Sequence, residues 1–182
     1  MAMKFLTPIP FLALAMSGCA TMDEASSGSK GQEAVGTANL LRGDGTQVGT
    51  VQLMREGGEL VVTGSLSDLP AGSHGFHLHT TGKCDAPDFQ SAGGHLNPYD
   101  RAHGKLDPQG KHLGDLDNIT VSASGTVTVR QSVGSDTAMD LARIFDTDGT
   151  AVMVHSGPDD YRTDPSGDAG SRIACGVMRR AT

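Results

Sequence analysis

From Val35 onward the chain is a succession of short β-prone runs cut by glycine-rich turns, and no window beyond the first 20 residues sustains a 3.6-residue apolar period. The runs are Gly36 to Arg42, Gly49 to Met54, Leu60 to Leu66, His74 to His79, Ile119 to Ala123, Thr126 to Arg130 and Ala151 to Val154. Thr126-Val127-Thr128-Val129 alternates polar and apolar, as a strand with one solvated face requires. Gly43-Asp44-Gly45, Glu56-Gly57-Gly58, Ser124-Gly125 and Asp148-Gly149 supply the turns. Glycine, 25 residues of 182, is about twice as frequent as usual and follows no collagen-like period. The pattern predicts an antiparallel sandwich or barrel. Two polar stretches, Thr80 to Asp117 and Ser156 to Ser171, fit no strand, and loops of that length in a compact domain usually carry function.

The N-terminus reads as an export signal. Lys4 is followed by a mostly apolar run from Phe5 to Met16 and by the small residues Ser17-Gly18 before Cys19. The segment resembles a bacterial lipoprotein signal, which implies cleavage before Cys19 and a lipid on its thiol. Met16 stands where leucine is usual, and cleavage near Ala20 is the alternative. The expected organisation is a signal over 1–19, a flexible tether over 20–34 and one folded domain over 35–182. If Cys19 is acylated, Cys84 and Cys175 remain as a pair in an oxidising compartment. Ala20 after Cys19 resembles outer-membrane sorting, so the expected location is a periplasmic, membrane-anchored lipoprotein, attached only through that lipid.

The histidines carry the chemistry. His77-Leu78-His79 lies on a predicted strand, where residues two apart face the same side at about 6.6 Å. The long loop adds His95, His103, His112 and Asp115, and His155 ends the run Val152-Met153-Val154. Imidazoles and a carboxylate converging from a loop suit zinc, and an all-imidazole set suits copper. One four-coordinate ion leaves three of these seven donors idle, and two ions need eight positions. A histidine using both ring nitrogens closes the gap, though spacing does not say which one. His74 reads as a packing residue.

In order, Gly75-Phe76-His77-Leu78-His79, Ser91 to Pro98, His103-Gly104-Lys105, Lys111 to Leu116 and Gly170 to Gly176 resemble the motifs of the copper/zinc superoxide dismutase family, over about Val35 to Met178. The resemblance implies a Greek-key β-barrel or sandwich of about eight antiparallel strands with two long functional loops. It makes His77, His79, His95 and His155 copper ligands, and His95, His103, His112 and Asp115 zinc ligands, with one copper and one zinc per subunit. His95 would be the shared, catalytic imidazole. Arg172 matches the arginine that docks superoxide, Asp159 a carboxylate behind the ligands, and Cys84 with Cys175 the family's disulfide. The implied enzyme converts two superoxide anions and two protons to O₂ and H₂O₂, as a homodimer or monomer; the rival is a periplasmic copper or zinc carrier on the same scaffold.

Charge fits this only locally. The formal charge is −7, and losing Lys4 with the signal takes it to −8, which argues against nucleic-acid partners. An anionic substrate therefore needs a locally positive mouth, to which two bound dications, Arg172 and the candidate lysines Lys83, Lys105 and Lys111 would contribute. That predicts an association rate that falls with ionic strength.

Overall fold

The computed structural model describes residues 32–182 together with Met1, so the signal segment, Cys19 and residues 20–31 of the expected tether lie outside the described residues. Ten strands form. They are β1 (Gln32–Arg42), β2 (Gln47–Glu56), β3 (Glu59–Leu66), β4 (Gly72–His74), β5 (Phe76–His79), β6 (Ile119–Val121), β7 (Val127–Ser135), β8 (Ala151–His155), β9 (Arg172–Val177) and β10 (Arg179–Arg180). Among the described residues one α-helix, α1 (Ala138–Ile144), links β7 to β8, and a single 3-10 turn covers Gln90–Ala92. Among the described residues no helix is long and apolar enough to cross a membrane.

β1, β2 and β3 form an antiparallel meander. Gly57 and Gly58 turn β2 into β3 with φ of 58° and 88°, the left-handed values a two-residue hairpin needs, and glycine adopts them without strain. The chain then crosses to the far edge, giving the strand order β5-β8-β9-β1-β2-β3-β7, with β10 added to β1 and a separate pair β4–β6. Every pairing between these strands is antiparallel. The return of β7 to the side of β3, and of β8 to β5, is a Greek-key connection. Curling the sheet brings Phe76, Leu78, Val152 and Val154 into one core with Val51, Leu53, Leu60 and Val62. The all-β class and the antiparallel pattern are as expected.

Four details differ from the sequence reading. β1 begins at Gln32, which pairs with Glu56, so residues 32–34 belong to the domain and not to the tether. The single run His74 to His79 is two strands in different sheets, broken at Gly75, whose N–H donates to the Gly157 carbonyl. A Cβ at Gly75 would come within 2.9 Å of the Ala169 Cβ, which explains why the turn toward the second long loop falls on glycine. β9 and β10 were not among the expected strands, because the motif around Arg172 masks any alternation. Finally, α1 has seven residues and buries only Leu141 and Ile144 of its apolar side chains, too few to register a period. The legible signal for it is Thr137, whose hydroxyl accepts the Asp140 N–H as an N-cap.

Candidate metal centre

β5 sets the centre. Phe76 and Leu78 enter the core while His77 and His79, 0% and 1% exposed, face the other way. The free edge of β5 is taken by the long loop: the Leu78 N–H donates to Gly114, the Leu96 N–H to Leu78, and the Thr80 N–H to Gly94. These bonds carry His95 and Asp115 to bridge positions opposite His79 and His77. On the other edge β8 delivers His155, which a register shift places opposite Arg172 of β9.

Two groups of donors result. His77, His79, His95 and His155 offer nitrogens that all lie within 4.8 Å of one another, as do the ligand atoms of His95, His103, His112 and Asp115. All seven residues are buried, and His95 alone belongs to both groups. The one-shared-histidine arrangement that the donor count requires is therefore present, and the shared residue is His95.

Hydrogen bonds fix which nitrogen each ring leaves free. His79 donates from Nδ1 to the Gly93 carbonyl at 2.9 Å and His155 from Nδ1 to Gly170 at 3.2 Å. Their Nε2 atoms consequently present lone pairs to each other across 3.4 Å. His77 is reversed, donating from Nε2 to Asp159 Oδ2 at 2.7 Å, so its buried Nδ1 has no hydrogen-bond partner. His95 lies on Asp115 Oδ1 through Nδ1 at 2.8 Å and leaves Nε2 buried and unpartnered. Such orphaned buried nitrogens cost free energy unless something else satisfies them, and a cation between them does so.

The second group makes the same case. The Nδ1 atoms of His95, His103 and His112 stand 2.8, 3.1 and 3.0 Å from one oxygen, Asp115 Oδ1. An ion bound at 2.0–2.1 Å in tetrahedral geometry separates its ligands by about 3.3 Å, close to these spacings. The other oxygen, Asp115 Oδ2, accepts the N–H groups of Gly104 and His112 at 2.8 and 3.0 Å, which fixes the carboxylate. His103 donates from Nε2 to Asp159 Oδ1 at 3.0 Å, so Asp159 joins a histidine of each group. The donor sets fit a copper ion in the all-imidazole group and a zinc ion in the mixed one.

The electrostatics favour neutral rings at His79, His95 and His155. Burial, with His95 nearby, pulls His79 down to about 2. Burial likewise takes His155, beside His77, to about 3, and His95 to about 4 despite its bond to Asp115. Burial opposes charge on His103 too, but hydrogen bonds to Asp115 and Asp159 outweigh it and push that ring up to about 9. Burial raises Asp115, yet bonds from His103, His112 and His95 hold it far below the usual carboxylate range; Asp159 is depressed in the same way by His103 and His77.

A cleft of about 460 Å³ opens over His79, His95, His112 and His155, with Arg172 on its wall. The Arg172 guanidinium is anchored by the carbonyls of Phe89 at 2.7 Å and Gly93 at 2.6 Å. The segment presenting those carbonyls is itself pinned: Cys84 and Cys175 form a disulfide, and Phe89, Ala92, Ala151 and Met153 pack around Cys175 as a second small core. His74, as expected, stands outside both groups, its ring nitrogens each 2.8 Å from a carbonyl, those of His155 and Pro70.

The lysine candidates fare differently. Lys83, Lys105 and Lys111 do not line the cleft, whose charged wall residues other than histidine are Arg172 and Asp88. Lys105 pairs with Asp117 and covers the Tyr161 ring, and Lys111 donates to the Asp115 carbonyl at 2.7 Å. Sequence reasoning missed the carbonyls of Phe89, Gly93 and Gly170, which have no side-chain signature. It also missed Asn118, which holds the Asp159 backbone at both N–H and carbonyl.

Comparison with known proteins agrees with this geometry. The family model for copper/zinc superoxide dismutase (SODC) matches residues 47–178. A superoxide dismutase [Cu-Zn] of Aquifex aeolicus is 40% identical over 152 residues, covering 81% of this chain and 89% of its own. One of Caulobacter vibrioides is 37% identical over 147 residues, covering 79% and 84%. The crystal structure of a double mutant of a superoxide dismutase-like protein from Bacillus subtilis superposes with a TM-score of 0.74 at 41% identity, over 80% of this chain and 98% of that one. With the match spanning most of its length, the chain belongs to the copper/zinc superoxide dismutase family.

Proposed function

We propose that the protein is a superoxide dismutase, converting two superoxide anions and two protons to O₂ and H₂O₂. The observation that carries this reading is the sharing of His95 between an all-imidazole group and a mixed group. His77, His79, His95 and His155 would hold copper, and His95, His103, His112 and Asp115 would hold zinc. Bound copper supplies one-electron oxidation and reduction, and bound zinc a fixed charge of constant oxidation state.

The chain's own residues do the rest. Arg172, held on two carbonyls, presents a fixed guanidinium to the anion at the cleft wall. His95 Nε2 is the atom that can take a proton and yield it to the second superoxide as that becomes peroxide, solvent supplying the other proton, while Nδ1, beside Asp115, is the nitrogen that would face zinc. Asp159 keeps His77 and His103 in the orientation that leaves both Nδ1 atoms free. The disulfide and the small core beneath it hold the carbonyls that aim Arg172.

Location and assembly belong to the same proposal. The sequence of residues 1–19 supports export with a lipid on Cys19 and residence in the periplasm, and Ala20 after it supports attachment to the outer membrane; the mass of the mature N-terminal peptide tests the lipid. The assembly expected is a homodimer or a monomer, and the mass of the protein in solution tests which.

A copper or zinc carrier without turnover is the competing reading, and Arg172 separates the two. A carrier has no use for a guanidinium anchored at the mouth. Protein loaded with one copper and one zinc should dismutate superoxide, and Arg172→Ala should lower the rate about 10- to 100-fold at unchanged metal content, the equivalent of one charge-assisted hydrogen bond. Wild-type protein that retains both metals without activity would sink the proposal.

A further inference from the structure

Tyr161 sits where three segments of the centre meet, although it belongs to neither group of metal ligands and is not part of the cleft wall. Its N–H donates to Asp159 Oδ1 at 2.6 Å. Its hydroxyl accepts the Asn118 N–H at 2.9 Å, and the Asn118 side chain in turn accepts the Asp159 N–H at 2.8 Å and donates to the Asp159 carbonyl at 2.9 Å. Its carbonyl accepts the Leu106 N–H at 3.2 Å, and its ring carries Lys105 at 4.3 Å. A Cβ on Gly104 would collide with the Tyr161 carbonyl, and one on Gly167 would collide with the Asp159 carboxylate and the His103 ring. Glycine at both positions lets the two loops close on Asp159.

Tyr161 also has φ of 62°, in the left-handed region where a bulky residue is strained. Such strain persists only when surrounding contacts impose it, and it concentrates at functional sites. Here the contacts that impose it end on Asp159, on Asn118, which holds the Asp159 backbone, or on the loop bearing His103. We propose that Tyr161 is a positioning residue for both metal groups, acting through Asp159: the hydroxyl holds Asn118, Asn118 holds the Asp159 backbone, and the Asp159 carboxylate sets His77 and His103 together. The inference rests on the two-metal reading above.

The test uses the full chain loaded with copper and zinc and measures how fast excess EDTA strips each ion. Tyr161→Phe keeps the ring over Lys105 and removes only the acceptor for Asn118. It should accelerate loss of both ions by about tenfold, the lower end of what a lost outer hydrogen-bond partner does to metal affinity. Asp159→Asn should accelerate both further, and Tyr161→Phe added to Asp159→Asn should produce no additional change, because both act on one path. Faster loss of zinc alone, or an undiminished tenfold effect in the Asp159→Asn background, would mean that Tyr161 merely closes the zinc-side loop and would overturn the proposal. Wild-type chain that holds neither ion overturns the metal reading, and this one with it; wild type that holds both, with Tyr161→Phe releasing them at the wild-type rate, overturns this one alone.

Discussion

The β2–β3 hairpin and the loop from Thr80 to Asp117 both bury side chains, but opposite kinds of group are hidden in them. In the hairpin an unbroken register from Gly49 opposite Leu66 to Glu56 opposite Glu59 pairs the backbone, and Val51, Leu53, Leu60 and Val62 fill the core. In the loop the buried groups include His95, His103, His112 and Asp115, and its backbone bonds are scattered contacts to β5, to Asp148, to Tyr161 and to itself. Hydrophobic burial accounts for the first region without help. In the second, orphaned imidazole nitrogens need a cation to compensate their burial. One region is thus complete as a polypeptide, whereas the other is complete only with its ions.

Removing the metals should separate the two most strongly. Amide exchange at Gly104 and His112, whose N–H groups rest on Asp115, should accelerate by about a hundredfold or more on chelation, since metal binding energy becomes local folding energy. Amides in the β2–β3 ladder should change by no more than a few fold. Equal acceleration in both regions would show that sheet and loops unfold as one unit and break the comparison.

A smaller effect is expected from pH on the metal-free protein. His79, His155 and His95 are held neutral down to about 2, 3 and 4, whereas unfolded imidazoles protonate near 6.5. Below 6.5 the unfolded chain therefore binds protons that the folded one refuses, and stability falls with acid. His103 has the opposite sign: folded, it keeps its proton to about 9, so its contribution is complete below 6.5 and is lost as pH rises through 9. Stability should peak near pH 6.5 and fall about three times more steeply on the acid side, where three rings act against one. Asp115 and Asp159, depressed when folded, add to the acid loss below about 4. Urea midpoints across pH 4.5 to 9 test this, and a flat profile would mean that the loop is already open without metal.

Legibility in the sequence divides along the same line. The meander was readable because alternation and paired glycines are local signals: Gly57-Gly58 marks its hairpin, and Thr126 to Val129 shows the pleat of β7. The seven donors were readable because His and Asp are chemically distinctive, and counting them demanded a shared histidine before any geometry was known. Their gathering depends on contacts with no residue signature, such as the Leu78 to Gly114 backbone bond or the carbonyls beneath Arg172. α1 was missed for lack of length, and the break at Gly75 because its cause, Ala169, is 94 positions away. The candidate lysines fall outside the cleft for a related reason, since a lysine near a ligand in sequence can point elsewhere.

That last point sets the smallest effect. Lys105 is engaged with Asp117 and Tyr161, Lys111 with the Asp115 carbonyl, and Lys83 is exposed outside the cleft, so none aims charge down the path to His155. A solvated unit charge about 8 Å from an incoming anion is worth about 0.5 kcal/mol, or about twofold in rate, before salt screens it. Lys83→Met and Lys105→Met should accordingly lower the rate of dismutation less than twofold. Asp88, on the wall with Arg172, opposes the anion, so Asp88→Asn should raise the rate by up to about twofold at low salt and leave it unchanged at high salt. Wild type should show only a shallow decline with ionic strength, because the Arg172 attraction and the Asp88 repulsion are screened together. A steep decline abolished by Lys83→Met would place a steering field outside the cleft and extend the functional region beyond the loops that hold the metals.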